Sequence, residues 1–460
     1  MKTKDCLKNN MTFRFAENML FSKKDINALL LPVILETFLS YFIGLMDSVM
    51  VSSAGEAAVS AVSLVDAISL LFINVFAALA NGGAVVAGQY LGKKDTENSR
   101  SSAEQMIMLL LGSSVIISAF LLFFQDSVIR FLYSSAEKAV RENCISYYHI
   151  VMMSIPFIAL YNGGAALFRT IGDSSTPLKI SVIMNGINIV GNAVLIYVFK
   201  MGVEGVAFPT LVSRGVAAVI IIIPLLKKKM PVSINGILYY RPKVKLISHI
   251  LNIGVPNGIE NGMFQFGKLI LMTLVSTLPT AAITANAIGN TMGSLHCVIG
   301  LAANSALMAV ISRCAGAGDY VQARWYTRYI VAKTYIWQGI VNIILAAATP
   351  LVLKIYHCSP EVASLAVPIL LVHGLSSIIL WPMAFMLNIS MRSAGDSRYA
   401  MWIASISMWL CRVGGAYALV KLFNIGVIGV WIAWIIDWVF RIAFFLPRYL
   451  GHKWETKAIE

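Results

Sequence analysis

LLLPVILETF (residues 29–38) and IGVPNGIENG (residues 253–262) each set a proline four residues before a glutamate, and 224 residues separate Pro32 from Pro256 and Glu36 from Glu260. Three further landmarks recur in the same order. Asp95 in YLGKKD returns as Asp319 in CAGAGD. Arg169, Gly172 and Asp173 in FRTIGDS return one residue out of step as Arg392, Gly395 and Asp396 in MRSAGDS. Gly202-Val203-x-Gly205-Val206 returns as Gly426-Val427-x-Gly429-Val430. Shared order and spacing make the chain an internal duplication.

Both halves are apolar. Of 460 residues, 58% are hydrophobic and only 13% charged, with a mean hydropathy of +0.76; a soluble chain carries about 25% charge. An integral membrane protein is expected. A spanning helix needs roughly 20 apolar residues, and twelve continuous runs qualify: 26–52, 57–82, 103–124, 145–168, 177–199, 204–226, 247–275, 281–312, 325–352, 362–388, 398–421 and 426–447. Barrel strands would be short and alternating instead. The expected fold class is all-α integral membrane, with twelve transmembrane helices in two six-helix lobes.

Most of the 36 Lys and Arg residues fall in the tails and in alternate loops; the other loops hold Arg130, Lys138, Arg141, Lys200, Lys354 and Lys421. The bias puts both termini in the cytoplasm. It also accounts for the +14 net charge as a topogenic signal rather than a nucleic-acid patch. The basic stretch 227–246 is the natural linker between an N-lobe (26–226) and a C-lobe (247–447), flanked by cytoplasmic segments 1–25 and 448–460. Six spans per half is an even number, so both halves enter the membrane in the same sense. The lobes are therefore expected to be related by a pseudo-two-fold along the membrane normal, a plan used by secondary transporters. Residues 1–25 are basic and lack a cleavable apolar core, which argues against a signal peptide. The six cysteines form no CxxC or Cys/His cluster, so no metal or redox site is indicated. Cys144 and Cys358 both fall near the outer face, as packed thiols or a disulfide.

Several stretches resemble the multidrug and toxic compound extrusion family over roughly residues 26–450. They are GLMDSVMVSSAGEAAVSAVSL (44–64), AGQYLGKKD (87–95), FRTIGDSSTP (168–177), NIVGNAVLIY (188–197) and GVEGVAFPTLVSR (202–214). The resemblance implies a V-shaped pair of lobes, alternating access, and export of mostly cationic organic compounds driven by entry of H+ or Na+. It implies a bacterial plasma-membrane location, small-molecule and lipid partners, no nucleic acid, no cofactor beyond the coupling ion, and function as a monomer.

A carboxylate in hydrocarbon must face a cavity or a partner, which singles out Asp47 from the residues alone; a hydrated or capping role is the alternative. By resemblance, Asp47 matches the family's helix-one aspartate. Asn188 and Asn192 are four apart and share a helix face; they match the pair opposite that aspartate, with Asn192 where many members carry Asp. Thr210 matches a hydroxyl at the same site. Asn192 cannot titrate, so a carboxylate pair is missing, and these three side chains serve either ion binding or interhelical hydrogen bonding. Glu260 is a candidate for substrate or ion binding. Glu36 is another, or is held by a partner within its lobe. Lys268 lies about 12 Å beyond Glu260 along one helix, so it pairs across helices or snorkels outward; as a fixed cation it would disfavour cationic substrates. Pro32 and Pro256 each remove a helix hydrogen bond and are candidate bends. Asp437 and Arg441 are spaced to pair on one helix. Asp66, Arg214, Arg412, His149, His296 and His373 are further ionisable residues within spans. Gly172–Asp173 and Gly395–Asp396 are suited to end one helix and cap the next, with a second role for the arginines in contacts between lobes.

Three other readings remain. A flippase for lipid-linked precursors belongs to the same superfamily and would use a basic cavity. A twelve-helix transporter of the major facilitator type fits the topology but not the loop motifs. A membrane sensor or embedded enzyme would need a soluble domain or clustered acids. No P-loop, HExxH or nucleophile motif occurs, so no enzyme is expected.

Overall fold

The computed structural model describes residues 19–53, 55–133, 137–237, 241–356 and 358–459. Cys6, with most of the predicted 1–25 segment, and residues 238–240 of the predicted linker lie outside them. The described chain is helical throughout its spans. These are α1 Lys23–Ser52, α2 Glu56–Gly92, α3 Thr96–Phe123, α4 Lys138–Met153 continued by Ile155–Thr170, α5 Ser175–Val198, α6 Glu204–Leu225, α7 Val244–Val275, α8 Thr280–Gly316, α9 Tyr320–Ile355, α10 Pro360–Ile379 continued by Trp381–Ser393, α11 Ser397–Leu422 and α12 Val427–Leu450. Ten helices among them are long and apolar enough to cross a membrane, and the bent pair in α4 makes an eleventh. The twelfth, α7, is 32 residues long but carries Asn252, Asn257, Glu260, Asn261 and Lys268, polar groups that find their use between and inside the lobes.

Local chemistry sets the helix ends. Ser22 and Asp25 form a reciprocal capping box at the start of α1. Asp95 accepts from the Asn98 N–H at 3.0 Å and Asp319 from the Gln322 N–H at 2.9 Å, capping α3 and its repeat mate α9. The backbone N–H and side-chain amide of Asn98 hold the Asp95 carboxyl below its ordinary pKa. Gly172 (φ +96°) and Gly395 (φ +102°) take the left-handed conformation that ends α4 and α10. Asp173 then caps α5 through the Ser175 and Thr176 N–H groups, both at 3.0 Å. Asp396 departs from its mate and is held by Arg448 at 2.8 Å.

Three spans expected to be unbroken are divided. α4 bends by 41° around Ser154. Pro156 there offers no N–H to the Met152 carbonyl, and the Ser118 hydroxyl of α3 donates to that oxygen instead. α10 breaks at Leu380, just before Pro382, and α8 at Cys297. α2 runs ten residues past its predicted end at 82 because Gly83–Gly92 packs against the second lobe. The linker is pinned to the end of α3: Gly236 N–H donates to Glu104 Oε1 at 2.8 Å and Lys243 Nζ to Ser101 Oγ at 2.7 Å. Cys144 is a buried free thiol and Cys358 is free as well.

Helices α1–α6 and α7–α12 form the two lobes. The contacts between them obey the duplication: α1 packs on α8 and α7 on α2, pairs that a two-fold exchanges, while α2 packs on α8 across the axis. Each lobe's first helix begins inside the other lobe. Ile26, Leu29 and Leu30 of α1 join the core of α8, α9 and α10, and Leu246, Ile250 and Ile253 of α7 join the core of the N-lobe. The crossing is close because glycines line it. A Cβ on Gly82 would meet Gly254 N at 2.7 Å, one on Gly316 would meet Gln89 O at 1.8 Å, and one on Gly92 would meet Arg313 O at 2.0 Å. Small residues at helix contacts suit a bilayer, where packing rather than water exclusion holds helices together. Gln89 Nε2 donates to Ser393 O at 2.9 Å, and Ile459 N–H donates to Gln89 Oε1 at 3.0 Å, so the C-terminal tail closes over the same seam. These contacts lie at the end of the bundle that carries both termini.

Gly92→Val should force this seam apart. Spin labels at Lys93 and Lys245, on opposite sides of it, are expected to move further apart in the variant; an unchanged distance distribution would mean that the seam absorbs a side chain.

Candidate functional site

α1 passes from the C-lobe core at Leu30 through Pro32 into its own lobe, where two of its acids are met. Glu36 is first. Arg169 at the end of α4 donates from Nη2 to both carboxylate oxygens, at 2.9 and 2.7 Å, and Tyr161 donates to Oε1 at 3.1 Å. The alternative of a partner within the lobe is therefore the arrangement seen. A cavity of about 340 Å³ lies beside the pair, lined by Glu36, Thr37, Ser40, Tyr41 and Arg169, with Ser305 from α8.

Asp47 is the second acid, three turns on and half-buried. Asn188 and Asn192 of α5 and Thr210 of α6 all gather beside it. Asn192 Nδ2 donates to Asp47 Oδ1 at 3.0 Å, while Asn192 Oδ1 is buried with no hydrogen-bond partner. The Asn188 amide fits these positions with Nδ2 toward Asp47, donating to Oδ1 at 3.0 Å and Oδ2 at 3.3 Å and accepting from Thr210 Oγ1 at 3.1 Å. Around this site, Tyr147 donates to Asp66 Oδ1 at 3.1 Å and Arg214 donates to Ser154 Oγ at 2.7 Å. Asp66 and Arg214 both act on the charge of Asp47.

The C-lobe repeats the Glu–Arg pair. Glu260 is bonded to Arg392 of α10 and to Asn388 Nδ2 at 3.1 Å, with Arg441 at 4.0 Å. Neither Arg169 nor Arg392 is paired with an aspartate across the lobes; each holds the glutamate after its own lobe's proline. Arg441 pairs with Asp437 at 3.1 Å, and Ser407 donates to Asp437 as well. Lys268 is exposed and forms no salt bridge among the described residues; its Nζ lies 4.9 Å from the centre of the Phe264 ring. Both α1 and α7 continue helically through Pro32 and Pro256.

Sequence reasoning missed the pairing of His296 with His373, whose Nδ1 atoms are 2.9 Å apart across α8 and α10. It also missed the Tyr147–Asp66 bond. Nothing in the spacing of either pair signals the contact. The Glu–Arg pairs did leave a signal, because both members recur together.

A family model described as MatE matches residues 32–194 and again 256–418. The chain belongs to the MatE family. The two matches begin at Pro32 and Pro256 and keep the 224-residue offset to their ends. Among MatE relatives, the probable multidrug resistance protein NorM of Thermotoga maritima is 25% identical over 95% of this chain and 94% of its own length. The multidrug export protein MepA of Staphylococcus haemolyticus is 24% identical, over 86% and 87%. A solved outward-facing MATE family transporter of the MOP superfamily has the same fold, with a TM-score of 0.86 at 22% identity, covering 94% of this chain and 96% of that one.

Arg169→Met should leave Glu36 buried and unpaired, a loss of ~3–5 kcal/mol read as a lowered unfolding midpoint in detergent. The double variant Glu36→Gln/Arg169→Met should recover much of it. Additive losses instead would mean that the two side chains are not energetically coupled.

Proposed function

We propose that this protein is a secondary active exporter of amphipathic organic cations, driven by H+ or Na+ entry through the Asp47 site. The observation that carries the reading is the four-residue cluster of Asp47, Asn188, Asn192 and Thr210. It offers one carboxylate, an Asn192 carbonyl oxygen with no partner, and an Asn188 amide that links Asp47 to Thr210. A hard cation takes oxygen ligands of this kind, and Asp47 can carry a single proton instead. The relatives, a probable multidrug resistance protein NorM and a multidrug export protein MepA, support a small-molecule substrate. The protein lies in the bacterial plasma membrane with both termini cytoplasmic, acts as a monomer and performs no covalent chemistry.

Alternating access has a physical basis in α1 and α7. Each helix is buried in the opposite lobe before its proline and gripped by an arginine of its own lobe four residues after it, while Val33 and Ile34 of α1 still pack on α8 and Asn257 of α7 on Ala78; a bend at Pro32 or Pro256 would loosen these contacts as the lobes part. Filling the Asp47 site would change how Asn188 and Asn192 of α5 hold α1, which links ion occupancy to that bend.

The deciding measurement is ethidium transport into proteoliposomes under an imposed sodium gradient and then a proton gradient, with wild type and Asp47→Asn. Gradient-driven uptake is expected for wild type and none above protein-free vesicles for the variant. Uptake that survives in Asp47→Asn would move coupling to Glu260. Absence of uptake for wild type under both gradients would overturn the proposal.

A further inference from the structure

The 224-residue offset maps the N-lobe site onto the C-lobe position by position. Asp47, Asn188, Asn192 and Thr210 correspond to Leu271, Arg412, Ala416 and Trp434. The match is spatial as well. Asn188 touches Thr210 in the first lobe, and the Arg412 guanidinium lies over the Trp434 ring at 3.8 Å in the second. The offset is 223 residues at Asp396 and 224 at Gly426, so the second half gains one residue between them. The π-helical segment Ser407–Gly414 has no counterpart among the described residues of α5, whereas the π-helical segment Ala418–Leu422 repeats Val194–Val198. The widened turn absorbs the extra residue, and Arg412 stands in it. Such bulges recur at functional sites.

Arg412 is 1% exposed and has no carboxylate partner among the described residues. Its Nη1 faces Met408 Sδ at 3.8 Å, while Nε and Nη2 are buried without any hydrogen bond. These two nitrogens form the side-on edge of the guanidinium, the fork that grips an oxyanion through two parallel bonds. The Asp437 carboxylate acts on Arg412 from a distance but is already bound to Arg441 and Ser407. Lys268 shares the site: its Nζ and the Arg412 guanidinium each lie 4.9 Å from the centre of the Phe264 ring, and Lys268 is accessible where Arg412 is not. The charged groups described above are Lys268, Arg392, Arg412 and Arg441 against Glu260 and Asp437 in the C-lobe, and Arg169 and Arg214 against Glu36, Asp47 and Asp66 in the N-lobe. Where the first lobe places an acid and two amides, the second places an arginine and no acid.

We propose that the C-lobe pocket at Lys268 and Arg412 binds the oxyanion group of an amphiphile, a phosphate or a compact equivalent. Lys268 meets the group at the accessible side and the free edge of Arg412 holds it. Phe264 and Trp434 stack on the cations and offer apolar surface to the rest of the molecule. The site goes beyond the export reading and does not require it. Its occupant is either a membrane phospholipid or a free organic anion.

Native mass spectrometry of the delipidated protein, titrated with dodecyl phosphate and separately with dodecyltrimethylammonium, tests the site. Wild type should retain one dodecyl phosphate in preference to the cation. Lys268→Met and Arg412→Gln should each weaken retention about ten-fold, the order of one lost charge-assisted bond. Lys268 is exposed, so its variant keeps the test open where Arg412→Gln fails to fold. Competition by phosphatidylglycerol would assign the occupant to lipid, and its failure to compete would assign a free organic anion; both support the site. Equal retention by wild type and variants, or equal retention of the cationic amphiphile, would overturn it. Neither result depends on ethidium transport.

Discussion

Each repeat's first helix belongs to two lobes, and the rest of the architecture follows from that constraint. Ile26 and Leu29 of α1 are buried in the C-lobe as Ile250 and Ile253 of α7 are in the N-lobe, at the same 224-residue offset. Six residues after Ile26 comes Pro32, and four later Glu36 is gripped by Arg169; Ile250, Pro256, Glu260 and Arg392 repeat the sequence of events. A helix shared in this way cannot be straight and rigid while the lobes move. The residue with the missing hydrogen bond stands between the two anchored stretches. The buried ion pair contributes less to net stability than to register: it fixes which face of α1 turns toward α5 and so delivers Asp47 to Asn192.

The duplication, the twelve spans and the linker were legible because they depend on short-range pattern: hydropathy, charge and recurring landmarks. The N-lobe residues were legible for a different reason. Asp47 is a charge in hydrocarbon and so needs a cavity, and Asn188 and Asn192 share a face by helical period, but only resemblance set them opposite one another. Contacts whose partners lie far apart without repeating were hidden, such as His296 with His373 or Gln89 with Ser393. Helical periodicity assigns a face and leaves the neighbour open. The Glu–Arg pairs lay between these cases. Their members recurred together, yet Arg169 beside Gly172 and Asp173 reads locally as part of a loop motif, and only its reach into α1 reveals the partner. The breaks in α4 and α10 were hidden because a proline within an apolar run is also tolerated in an unbroken helix, and the break in α8 at Cys297 has no proline to mark it.

Duplication gives two pockets with one backbone plan, and the side chains decide what each attracts. In the N-lobe, two amides and a hydroxyl surround an acid and leave oxygens free. In the C-lobe the corresponding positions hold Leu271, Ala416, Trp434 and Arg412, so the acid is gone and a guanidinium fills the volume of an amide. An unpaired arginine at this depth is costly, and stacking on Trp434 and Phe264 offsets only part of that cost. Had the second pocket simply lost its ion site, apolar residues such as Leu271 and Ala416 would have sufficed at all four positions. Keeping a buried guanidinium with its gripping edge free, with Lys268 nearby, is the arrangement of a site awaiting an anion.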